Sequence, residues 1–135
     1  MPATVSTASD ALKTSLRRVP GLRVYDFIPD TVNTPMAMVA LEEAVYHRAF
    51  RGGDVNYRFL VTLLVGRTSE RIAQSRLDEF MSYSGTQSIR QAIEDDPAWK
   101  SSFQTLMVER GGNMQPITVN DVVYLAVDFT VIVHA

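Results

Sequence analysis

The segment from Val122 to Ala135 constrains the fold more than any other. Its odd positions Val123, Leu125, Val127, Phe129, Val131 and Val133 are all apolar and mostly β-branched or aromatic. Its even positions include Tyr124, Asp128, Thr130 and His134. A period of two held over this length specifies a long strand with one face built for a core. The even face is mixed, which points to a cover other than bulk water.

A second stretch has the same period. Val55, Tyr57, Phe59, Val61, Leu63 and Val65 fall on one face and Asn56, Arg58 and Thr62 on the other, making this the natural neighbour of the C-terminal strand. Between strands the chain turns helical. Leu12, Leu16 and Val19 recur at helical spacing after Ser9 or Asp10 as cap, and Pro20-Gly21 stops that helix. Ile72, Ala73, Leu77, Phe80 and Met81 form the apolar stripe of a helix capped by Thr68 or Ser69. Ser88-Ile89-Arg90-Gln91 has capping-box spacing for a shorter helix that ends before Pro97.

Shorter strands are read at 22–27, 36–41 and 103–110. Prolines 29 and 35 place the first at a sheet edge. Gly111-Gly112-Asn113 reads as a turn tolerant of positive φ, and Asn120-Asp121 as a second polar turn. Residues 1–8 are small and polar and read as a flexible N-terminal arm. The pattern breaks from Glu42 to Asp54, read as a long interaction loop or hairpin between two strands. The fold class that follows is α+β: a mixed, mainly antiparallel β-sheet packed by an N-terminal helix and two central helices.

At 135 residues the chain has the size of one domain, burying roughly 70% of its extended surface on folding. Without cysteine there is no disulfide framework, thiolate metal site or cysteine nucleophile. Thirteen Lys and Arg against fifteen Asp and Glu leave a formal charge of −2, which gives no footprint for gripping a phosphate backbone. The N-terminus shows no targeting signal, and no stretch approaches the ~20 apolar residues that cross a bilayer. No membrane partner is expected.

Catalytic, cofactor and metal sites are not expected either. His47 and His134 lack a motif that sets a base beside a nucleophile. Glu42-Glu43 and Asp95-Asp96 are sequence neighbours, a spacing unlike that of a working acid/base couple. No His-x-x-x-His or EF-hand pattern occurs. The glycine pairs at 52–53 and 111–112 match no phosphate-binding loop and read as turns. Tyr46, His47, Arg48, Phe50 and Arg51 form the candidate partner interface, because aromatics and arginine are enriched where proteins bind. The competing reading is a solvated loop with Phe50 tucked onto the sheet. Asp128 interrupts the last strand; a cross-strand pair with a residue such as Arg58 is the favoured explanation, and a lining position in an assembly the other.

Several stretches then align in order with a known family. They are Val19-Pro20-Gly21-Leu22-Arg23-Val24-Tyr25-Asp26-Phe27-Ile28-Pro29-Asp30 with Asn33-Thr34-Pro35, and Tyr57 to Arg67 with Ala73-Gln74-Ser75-Arg76-Leu77-Asp78. Ser88 to Glu94 and Val127-Asp128-Phe129-Thr130-Val131 complete the series. Over about residues 12–135 the chain resembles the tail terminator proteins of long, non-contractile-tailed bacteriophages. The resemblance implies a mixed α+β protomer in a hexameric ring at the head-tail junction of the virion, assembled in the host cytoplasm. One ring face would bind the last ring of tail tube protein and stop its growth, and the other would dock the head-completion or stopper protein. DNA would pass through the lumen without specific binding, and six copies at −2 each would repel rather than hold it. The motifs are structural, and no family site residue carries over. The rival readings are another head-tail connector, of the head-completion or stopper kind, and a small ligand-binding or enzymatic α+β domain.

Overall fold

The structure, a computed structural model, describes residues 4–25, 33–46, 55–68, 71–95 and 105–134. Helix α1 (Val5–Leu16) leads into β1 (Arg23–Tyr25), β2 (Met36–Tyr46) and β3 (Val55–Arg67). Helices α2 (Ile72–Met81) and α3 (Ile89–Glu94) follow, and the chain closes with β4 (Thr105–Val119) and β5 (Val122–His134). The strands form one sheet in the order β1-β2-β3-β5-β4. Among the described strands, β1 and β2 run parallel and the other neighbouring pairs antiparallel. This is the expected α+β class, with a mixed, mainly antiparallel sheet and three helices among the described residues.

Helix α1 begins earlier than its charged segment suggests. The Thr4 hydroxyl caps it by accepting the Thr7 amide at 3.2 Å. Ala8, Leu12 and Leu16 then fall four apart and are buried. Residues 5–8 are therefore helix, and the expected arm over 1–8 is corrected for that part. Alanine in the stripe gave too weak a hydrophobic signal to extend the helix backwards.

The helices share one side of the sheet. Leu12 and Leu16 of α1, Leu77 and Phe80 of α2, and Ile89 and Ile93 of α3 join Phe59, Val61, Leu63, Val127, Phe129, Val131 and Val133 in one core cluster. Non-directional burial of these side chains is the main force holding the layers together. β3 and β5 lie side by side as their matching periods imply, with Val61 opposite Phe129 and Leu63 opposite Val127. The odd face of β5 is thus core from Val127 to Val133. Val123 is 39% exposed, while its even neighbours Tyr124 and Ala126 are buried on the opposite face with Met36 and Leu64. This second cluster also takes in Tyr25 from one edge strand and Ile117 from the other. Register shifts at Leu41/Glu43, Leu64/Gly66, Val108/Arg110 and Gly112/Gln115 each insert one extra residue, and such a bulge bends its strand locally.

One further expectation changes. The chain does not turn at Gly111-Gly112-Asn113, because β4 runs through them. Gly111 lies opposite Phe129, whose ring fills the space a side chain would need. The hairpin turns instead at Asn120-Asp121, with φ of 51° and 65°, the left-handed pair that suits a two-residue β-hairpin loop. β2 continues to Tyr46 and pairs antiparallel with β3 from Val55, so of the two readings of 42–54, loop or hairpin, residues 42–46 take the second as part of a hairpin strand. The bulge at Leu41/Glu43 adds a residue and destroys the alternation there, which is why the sequence reads as an excursion. Residues 47–54 lie outside the described residues.

Candidate interaction face of the sheet

Away from the helices, the register lays side chains out in rows across the sheet. Glu43, Arg58, Ile132 and Met107 form one row, and Ala40, Leu60, Thr130 and Arg110 the next. Met38, Thr62, Asp128 and Gly112 follow, then Met36, Leu64, Ala126 and Gln115. The last row belongs to the small apolar cluster, so the face is filled at the hairpin end and open toward the other.

Two hollows mark the open part. One of about 540 Å³ is lined by Glu42, Leu60, Arg110, Gly112, Asp128 and Thr130. Glycine at position 112 leaves room beside Asp128, its register partner. The second, of about 530 Å³, is bordered by Arg58, Glu109, Met107, Ile132 and His134, with Asn56 and Thr105 at its end. Acidic and basic groups alternate in both, so neither presents a single-signed field to a charged ligand. Among the described residues no group of three His, Asp or Glu gathers closely enough to hold a metal ion.

The expected pair of Asp128 with Arg58 is corrected. Asp128 stands opposite Thr62, whose hydroxyl donates to its Oδ1 at 3.0 Å. Arg58 stands opposite Ile132, four residues along β5, and its guanidinium meets Glu109 at 3.5 Å. A separation of four residues in a strand is roughly 13 Å, beyond the reach of a direct ion pair. Both partners of the Arg58–Glu109 pair are about a third or more exposed, and solvent screening leaves such a pair worth under about 1 kcal/mol. Glu109 escaped the sequence reading because it is the extra residue of the Val108/Arg110 bulge, which brings two consecutive side chains onto strand positions that alternation assigns to opposite faces.

Of the expected partner interface, Tyr46 ends β2 opposite Val55 and is 65% exposed. His47, Arg48, Phe50 and Arg51 lie outside the described residues. The structure adds exposed Met107 and Met114 on β4; Leu41 on β2 is exposed as well but, opposite Phe59, belongs to the helix side of the sheet. Large apolar groups spread along outer strands, beside shallow hollows of mixed charge, suit a broad protein contact better than an enclosed reaction. No protein-family model matches the chain, and no curated protein matches it.

Proposed function

We propose that this protein is a phage tail terminator: a structural protein that assembles as a hexameric ring, caps the tail tube and joins it to the neck. The observation that carries the reading is the one-sided architecture. The described helices α1, α2 and α3 pack on one face of the sheet, while the other face carries open hollows, one of them bordered by exposed Met107. A sheet face of this kind gains by contact with a neighbouring subunit, because each apolar side chain removed from water contributes roughly 25 cal/mol per Å². The α+β protomer is also the one that the sequence resemblance implies, and the resemblance alone supplies the ring, the tube and the neck. In this reading no chemistry is performed: Tyr46 and the residues after it reach a neighbour, and the charge of −2 per chain lets DNA slide past.

Electron microscopy of the purified protein, alone and mixed with tail tubes, tests this directly. Ring-shaped density at one end of each tube is expected. A protein that never forms rings or caps tubes, yet binds a small molecule, overturns the proposal. Density confined to the capsid side of the junction, out of contact with tube protein, assigns it instead as a head-completion or stopper protein.

A further inference from the structure

The outer edge of β4 is a place where chains like this one aggregate, because an edge strand offers a row of unpaired amides and carbonyls to any other strand. β4 is 15 residues long and ends the sheet. Its amides alternate between facing β5 and facing away. The Val108 amide faces away, and it donates to Glu94 Oε1 of α3 at 2.9 Å.

Glu94 is itself held in place. Its other oxygen accepts from Arg90 Nη1, one helical turn earlier. Arg90 is fixed in turn: its Nε donates to the Tyr83 carbonyl at 2.7 Å, and its guanidinium lies 3.6 Å from the centre of the Tyr83 ring. The Arg90 and Glu94 side chains are only 19% and 23% exposed, so the carboxylate has little freedom to leave. The Ser88 hydroxyl anchors the start of α3 by accepting the Gln91 amide at 3.2 Å.

The hairpin end of the same edge is closed differently. Val119 and Val122 flank the two-residue loop and face one another, which turns the backbone nitrogen of Pro116, three residues back, away from β5. Proline has no amide hydrogen, so that position offers no donor to an incoming strand.

We infer that Glu94 is an edge guard: with Pro116, it interrupts the row of outward backbone groups on β4 so that a second copy of this chain cannot add a continuous strand there. This inference is independent of the tail-terminator reading. It means that any assembly of the wild-type protein uses other surfaces, and that loss of the Glu94 carboxylate opens a contact the native protein lacks.

Amide hydrogen exchange on the wild-type protein gives the first test. Val108 exchanges at least about tenfold more slowly than Thr118, whose amide also faces away from β5. The second test is sedimentation of Glu94→Ala and Glu94→Gln. The alanine variant forms concentration-dependent species larger than wild type, and Val108 loses its protection. The glutamine variant keeps an oxygen for the Val108 amide and sediments as wild type. Val108 exchanging as fast as Thr118 in the wild type overturns the inference, and this holds even where Glu94→Ala does not fold. A folded Glu94→Ala that loses Val108 protection yet sediments as wild type overturns it as well.

Discussion

Phe129 lies across the β4–β5 ladder on top of Gly111: a Cβ at position 111 would sit 2.7 Å from Phe129 Cε1 and 3.1 Å from Met81 Sδ. Glycine is required there by space alone. Gly111→Ala pushes the ring against α2, and overpacking of this kind costs about 1–3 kcal/mol. Urea unfolding of Gly111→Ala, Phe129→Leu and the double variant checks it. The double variant is expected to lose less than the two single losses together, because the smaller side chain frees the space that alanine needs.

Thr62 and Asp128 are expected to show coupling of about 0.5–1.5 kcal/mol in a double-mutant cycle of Thr62→Val and Asp128→Ala, the range for a part-buried hydrogen bond. The same cycle run on Arg58→Ala and Asp128→Ala should return additive losses, within about 0.5 kcal/mol. Coupling of the second pair in place of the first would mean that the β3–β5 register is wrong by several residues.

The hairpin loop holds two non-glycine residues in the left-handed region, each at a cost of roughly 1–2 kcal/mol. Asp121→Gly removes part of that cost and should raise stability by up to about 1 kcal/mol. Asp121→Val, with a branched Cβ, should lower it. Thermal unfolding of the two variants beside wild type decides the sign.

Thr4→Ala should cost about 1 kcal/mol, the usual loss for an N-cap hydroxyl. Deleting residues 1–8 should cost more, because it also removes Ala8, which is fully buried. Equal stability of the truncated and full-length chains would restore the flexible arm that residues 1–8 suggest on composition.

The sequence makes most of the sheet legible where alternation is unbroken. Val55 to Val65 and Val127 to Val133 find both their strands and their core face, because period two and burial coincide there. It misleads at the bulges. Glu42 and Glu109 each add a residue to a strand, and the interrupted pattern reads as a loop or hairpin at 42–46 and hides the Arg58–Glu109 contact. Gly111-Gly112 carries the composition of a turn, yet glycine here answers the bulk of Phe129, a partner 18 positions away that local pattern does not reveal. Of the candidate interface, Tyr46 falls among the described residues, and its exposure follows from its place at the end of β2. The hollow beside Asp128 is not legible, because it gathers residues of four strands whose register the bulges shift.

The most direct measurement follows the growth of tail tubes from purified tube protein by electron microscopy, with and without this protein. The account predicts that tubes stop lengthening and carry a single ring of six copies at one end. Tubes of unchanged length with bare ends, and the protein left free in solution, would contradict it.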